Sequence, residues 1–262
     1  MTRLAVFIFW LLHFLPYRAL IAIGNGLGAL LFLLAKERRC VATVNLQLCF
    51  PDMTETARES LVREHFKLFT RGVIERCILW WGSAARINSL IRVEGIAHFE
   101  AIKNQPSILL TPHFVGMDAG GQWVAQHADT VCMYANQKNQ YMTALLLEKR
   151  ARFGTQKLYS RQQGLRPILK GMKANMPFIY PPDQDQGIKD GAFIPFFGVP
   201  AATMASLPRI AQMTGAKVVP SITRMTATGY VLTFYPAWEN YPTGDDIADA
   251  RRMNEFIEQR VL

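Results

Sequence analysis

The residues best suited to chemistry are His113 and Asp118, separated by four residues in His113-Phe-Val-Gly-Met-Asp118. They lie where a strand-like run, Ser107–Thr111, gives way to a helix-like one. Strand ends in α/β sheets are where ligands bind, and a His–carboxylate pair is the minimal device for taking a proton from a hydroxyl. Residues five apart on an ideal helix point about 140° apart. The two can therefore pair only if His113 lies on the loop leaving the strand and Asp118 on the first helical turn. Pro112 and Gly116 favour such a loop. Asp118 would then accept from one ring nitrogen, fix the tautomer and leave the other nitrogen as base. The competing reading is a loop histidine bonded to backbone, with the aspartate capping the helix.

Three further groups hold chemistry-bearing side chains. Pro181-Pro182-Asp183-Gln184-Asp185-Gln186-Gly187 contains a DxD that could bind a divalent metal or form a turn whose carboxylates hold backbone amides and a nearby arginine. With no third carboxylate or histidine close in sequence, the metal reading is the weaker. Arg161, before a helical stretch and near Gly164, is placed for a phosphate or an oxyanion; a plain surface arginine is the alternative. Lys138 and Asn139 follow the Thr130–Tyr134 run and fall at a strand's carboxyl end.

The elements that must position these residues follow from apolar patterning. Short β-like runs are expected at Ser107–Thr111, Thr130–Tyr134, Phe178–Pro181, Lys217–Thr223 and Tyr230–Tyr235. Helical stretches fall near 118–128, 140–153, 162–174 and 203–214, and from about Asp245 to the end. This alternation predicts an α/β fold, a sandwich around a mostly parallel sheet. Phe196-Phe197-Gly198-Val199-Pro200 reads as a strand-exit loop, either core or a lipid-chain wall. Upstream, Thr56-x-x-Glu59 reads as a capping box opening a long helix with apolar positions Leu61, Phe66, Phe69, Val73, Cys77 and Trp80.

The N-terminus is apolar from Leu4 to Leu15 except His13, and from Ala19 to Ala35 except Asn25, before Lys36-Glu37-Arg38-Arg39. Neither segment alone reaches the ~20 residues of a span, and no small-residue cleavage site marks a removed signal peptide. One tilted span or a hairpin lying in the interface is expected; buried core helices of a soluble protein are the weaker alternative, since Phe7, Phe9, Trp10, Phe14 and Phe32 would all need covering. Across 262 residues the net charge is +9, and residues 138–173 hold nine basic residues against Glu148 alone. Such a patch suits an anionic partner. The four cysteines, without a CxxC, argue against zinc and for a reducing compartment.

Taken together, these segments resemble the lipid A late acyltransferases of Gram-negative bacteria, the lauroyl-transferring branch in particular. The matching pieces span nearly the whole chain. They are the apolar N-terminus with its basic end, Asn45-Leu46-x-x-Cys49-Phe50-Pro51, and His113-x-x-x-x-Asp118. Gln137-Lys138-Asn139, Gly164-Leu165-Arg166, Asp183-Gln-Asp-x-Gly187, Pro195-Phe-Phe-Gly198 and Tyr235-Pro-Ala-Trp238 follow. The HxxxxD alone is shared with glycerolipid acyltransferases; joined in order to the others it is specific. The resemblance implies an αβα sandwich of the glycerolipid-acyltransferase type, with a membrane-associating segment at 1–39 and an acyltransferase domain at 40–262. It implies transfer of a fatty acyl chain from acyl carrier protein to a 3-hydroxyacyl hydroxyl of the Kdo-bearing lipid A precursor. The setting would be the cytoplasmic face of the bacterial inner membrane, with no cofactor and no metal. Relatives continue past the last helix with a basic, aromatic segment, so a truncated C-terminal end is expected at Leu262.

The site expected from this is His113 and Asp118 as catalytic pair, with Arg161, Lys138, Asn139, Arg166, Asp183 and Asp185 binding substrate. No serine or cysteine sits in a nucleophile setting, so transfer would be direct, without an acyl-enzyme. Two rivals come from other classes: a membrane-attached, metal-dependent glycosyl- or phosphotransferase using Asp183 and Asp185, and a non-catalytic anionic-lipid-binding protein. Nucleic-acid binding ranks a distant fourth and no nucleic-acid partner is expected: the basic patch lacks a reader motif, and the apolar N-terminus would be unexplained.

Overall fold

The computed structural model describes residues 2–136, 138–184 and 191–262. It divides into two compact units, Met1–Arg86 with Phe196–Val199, and Ile87–Pro195 with Pro200–Leu262.

The first unit is helical: α1 (Thr2–Leu12), α2 (Tyr17–Leu34), α3 (Lys36–Cys49) and α4 (Glu55–Trp81). Pro16 breaks α1 from α2, because it cannot donate and its ring blocks a continuing helix. The buried face of α2 carries Leu20, Gly24, Gly28 and Phe32, four residues apart. Its glycines let α4 approach closely: a Cβ at Gly24 would lie 2.7 Å from Arg71 Cα, and one at Gly28 2.5 Å from Lys67 Cα. Thr70 Oγ1 donates to Gly24 O at 2.7 Å across that contact. Phe32, Val62 and Phe66 close a small core at one end. At the other, Arg86 donates to His13 O and to Leu15 O, the latter at 2.6 Å. Between them Arg71 pairs with Glu75 at 2.8 Å, and Tyr17 OH donates to Glu75 Oε2 at 2.9 Å. Burial, then the Glu75 charge, pushes the Tyr17 phenol well above its usual range.

In the second unit, α5 (Ala84–Asn88) leads into β1 (Ile91–Glu94), α6 (Ile96–Glu100), β2 (Ser107–Leu110), α7 (Met117–His127) and β3 (Thr130–Tyr134). Then come α8 (Gln140–Arg150), β4 (Gln156–Ser160), a 3₁₀ turn (Arg161–Gln163), α9 (Arg166–Lys173) and β5 (Phe178–Tyr180). The chain finishes with β6 (Gly191–Phe196), β7 (Val199–Met204), α10 (Ser206–Thr214), β8 (Lys217–Thr226), β9 (Gly229–Phe234) and α11 (Asp246–Val261). Seven strands form one sheet in the order β1-β9-β8-β2-β5-β3-β4. The block β8-β2-β5-β3-β4 is parallel, and β9 turns antiparallel to β8. All four residues of β2 are buried, as a strand with neighbours on both sides and helices over it should be.

The mixed α/β class with a parallel-dominated sheet is as expected from the sequence. Several details differ. The helix cap is Thr54, whose hydroxyl accepts from Ala57 N–H, so α4 starts before the expected Thr56 box. Phe66, Cys77 and Trp80 of α4 are buried, but Leu61, Phe69 and Val73 are exposed. Phe196–Pro200 is the turn of a two-stranded β6–β7 hairpin, with positive φ at Phe197 and Gly198. The expected 1–39 segment forms the leading part of the first unit, which continues through α3 and α4 into the stretch assigned to the second domain.

Candidate active site

The parallel block sends the loops after β2, β5, β3 and β4 out of the same edge of the sheet. Neighbouring exits are set about 4.8 Å apart by strand spacing. In that row lie His113, then Asp183, then Lys138 and Asn139, then Arg161.

β2 continues its ladder one residue past the strand, where Thr111 N–H donates to Tyr180 O at 2.9 Å. The Thr111 hydroxyl meets Ser221 Oγ at 2.7 Å, anchoring the strand end to β8. Pro112 has no N–H to extend the ladder, and the chain turns, with Phe114 N–H donating to Pro112 O and Met117 N–H to Phe114 O. His113 is thus lifted onto the edge. Across from it, Pro181-Pro182 carries the chain out of β5 and presents Asp183. One carboxylate oxygen accepts from His113 backbone N–H at 2.8 Å, and the other lies 2.8 Å from His113 Nδ1. A carboxylate accepts, so Nδ1 carries the proton and the lone pair of the neutral ring is on Nε2. Both side chains remain partly open, at 31% and 25% exposure, so the ring can meet a substrate.

Asp118 sits on the first turn of α7, as the sequence suggested, but the ring nitrogen it was expected to hold is taken by Asp183. Its own carboxylate lies 3.1 Å from Arg150 Nη2, at the last residue of α8. An acid at one helix N-terminus and a base at another's C-terminus both oppose the helix dipoles favourably. Burial draws the Arg150 guanidinium down, but Asp118 and Cys132 together outweigh it, leaving the group above its ordinary value. Gln122 Nε2 donates to Lys149 O at 2.9 Å and reinforces the junction. The reason for the exchange of partners is topological: β2 and β5 are adjacent in space though far apart in sequence.

Two glycines seat α7. A Cβ at Gly116 would lie 2.6 Å from Thr223 O, and one at Gly120 would overlap Thr223 Oγ1. The helix therefore lies directly against β8, which holds the His113 loop and Asp118 in register.

The remaining expected residues are more dispersed. Asn139 is the N-cap of α8, its Oδ1 accepting from Tyr141 and Met142 N–H at 3.0 and 3.3 Å. Lys138, Arg161 and Arg166 are exposed. Arg161 opens the 3₁₀ turn that precedes α9, and Ser160 and Gln163 make the capping box there. It leaves the sheet three strands from His113, about 14 Å away by strand spacing. Asp185 lies outside the described residues. Among the described residues no three His, Cys, Asp or Glu side chains gather as a metal centre. Sequence reasoning missed Asp183 as the histidine's partner and Arg150 as that of Asp118. The one signal for Asp183 was its place after a strand-like run, with Pro-Pro stiffening the exit.

Comparison with known proteins yields consistent relatives. The family model for bacterial lipid A biosynthesis acyltransferases matches residues 1–262. A lipid A biosynthesis acyltransferase of Haemophilus influenzae is 32% identical over 98% of this chain and 82% of its own length. Two proteins of Escherichia coli are each 28% identical over the whole chain. They are a lipid A biosynthesis lauroyltransferase, covered over 87% of its length, and a palmitoleoyltransferase, covered over 86%. Equal similarity to enzymes named for different acyl chains leaves chain length undivided.

Proposed function

Because the chain belongs to the bacterial lipid A biosynthesis acyltransferase family and is an acyltransferase, we propose that it moves a laurate-like chain from acyl carrier protein. The acceptor is a 3-hydroxyacyl hydroxyl of the Kdo-bearing lipid A precursor, at the cytoplasmic face of the inner membrane. The fold is taken to be the αβα sandwich of glycerolipid acyltransferases. The observation that carries the mechanism is the double grip of Asp183 on His113.

His113 Nε2 takes the proton of the acceptor hydroxyl, and Asp183 supports the imidazolium that forms. The oxygen attacks the thioester carbonyl, the tetrahedral adduct collapses, and the carrier thiolate leaves with the proton from the imidazolium. No covalent enzyme intermediate is needed. Asp118 acts through Arg150 as a positioning residue, fixing the first turn of α7 beneath the His113 loop. Lys138, Arg161 and Arg166 serve the anionic groups of the acceptor or the acidic carrier. Purified protein offered a panel of acyl-carrier thioesters with the precursor should yield one mass increment, and His113→Ala should abolish it. Retained turnover in that variant would remove His113 as base; no product from any thioester would remove the donor assignment.

A further inference from the structure

Among the described residues one helix, α2, is long and apolar enough to cross a membrane. Its packing argues against its doing so. From Tyr17 to Phe32, α2 is bound to α4 in antiparallel order. Tyr17 meets Glu75, Gly24 meets Arg71, Gly28 meets Lys67 and Phe32 meets Phe66. If α2 crossed a bilayer, α4 would cross beside it. The stretch of α4 at that level holds Arg63, Glu64, His65, Lys67, Arg71 and Glu75. Arg71 and Glu75 neutralise each other in the interior, but Arg63, Glu64 and Lys67, paired as Arg63–Glu59 and Lys67–Glu64, lie on the surface with side chains 52%, 56% and 41% exposed. Exposed charges of this kind are strongly excluded from hydrocarbon.

The surface facing away from that contact is apolar. Ala22, Gly26, Leu30 and Leu33 form one exposed stripe of α2 at helical spacing, and Phe7 and Leu11 are exposed on α1. Arg3, Arg18, Lys36 and Arg38 are exposed around it, and Glu37 is the one acidic residue before Asp52. Apolar faces edged with cations match one leaflet of an anionic membrane, apolar side chains among the acyl tails and cations at the headgroups. We infer that α2 lies along a single leaflet, with both of its ends on the same side of the membrane. This rests on the membrane association proposed above and specifies its form.

The test uses the full chain carrying Arg18→Cys, with native Cys40, exposed on α3, as the marker beyond the other end of α2. Membrane-impermeant maleimide is applied to spheroplasts and to inverted vesicles, and modified peptides are identified by mass. In-plane binding predicts a membrane-fraction protein modified at position 18 and at Cys40 in the same preparation. Modification of the two positions from opposite sides overturns the inference. Recovery of the protein in the soluble fraction instead overturns the membrane reading beneath it.

Discussion

Asp183→Asn is nearly isosteric, yet it should be among the most damaging changes at the site. Asp183 receives two donors from one residue, the His113 backbone N–H and Nδ1, each at 2.8 Å. Asparagine has one acceptor oxygen and one donor NH₂. The backbone N–H cannot change character, so the amide oxygen must face it and the NH₂ must face the ring. Nδ1 is then forced to accept, the proton moves to Nε2, and on the proposed mechanism that nitrogen ceases to be a base. Losing a charge-assisted hydrogen bond removes roughly 1.5–3 kcal/mol, about one to two decades of rate. The imposed tautomer adds to this; the same change in a Ser-His-Asp triad slows turnover by roughly four decades. Turnover should therefore drop by about two to four decades, with little change in melting temperature because both side chains are partly open. Asp183→Ala leaves both donors to water and frees the tautomer, so it should be no worse than the asparagine. The assay is the turnover rate for acyl transfer to the lipid A precursor under saturating donor, beside a thermal melt. An asparagine variant keeping more than about a tenth of the wild-type rate would refute the tautomer argument.

Other consequences can be checked together. Gly120→Ala should destabilise by about 1–3 kcal/mol through overpacking, seen as a lowered melting temperature, and Thr223→Ala should restore it because the clash is with that hydroxyl. Gly116→Ala should not be restored by the same second change, since its obstacle is the Thr223 carbonyl. Asp118→Asn and Arg150→Gln should be non-additive in activity, with a coupling of about 1–3 kcal/mol in a double-mutant cycle. Arg166, Lys170 and Lys173 lie on one exposed stripe of α9. Replacing all three with Gln should raise KM for the carrier-bound donor severalfold at low salt and hardly at all at high salt, since exposed charge pairing is screened.

Those residues whose role depends on local geometry were legible in the chain. Fully buried β2 and half-buried β3 declare themselves by apolar runs, and the placing of His113 on a loop and Asp118 on a first turn follows from Pro112 and Gly116. What was illegible depends on which strands lie side by side. That β5 inserts between β2 and β3 is a property of the assembled sheet, and it decides that Asp183 reaches His113. β4, Gln156-Lys-Leu-Tyr-Ser160, was missed because an edge strand has one neighbour and tolerates polar residues. The apolar positions of α4 divide between buried Phe66, Cys77 and Trp80 and exposed Leu61, Phe69 and Val73, since periodicity reports an apolar face without saying what covers it.

The glycine seam between α2 and α4 also bears on how the protein is made. The ribosome completes α2 before α3 and α4, and at about 5–20 residues per second the interval is on the order of seconds. During that interval α2 is an apolar helix of eighteen residues without its α4 partner, long and apolar enough by composition to cross a membrane. On the in-plane reading inferred above, the arrival of α4, with Arg71 against Gly24 and Lys67 against Gly28, gives it the partner whose charges hold it at the surface. On that reading, a methyl group at either glycine, within 2.7 Å of the α4 backbone, would obstruct that meeting and leave α2 to the membrane while the rest of the chain is still being translated.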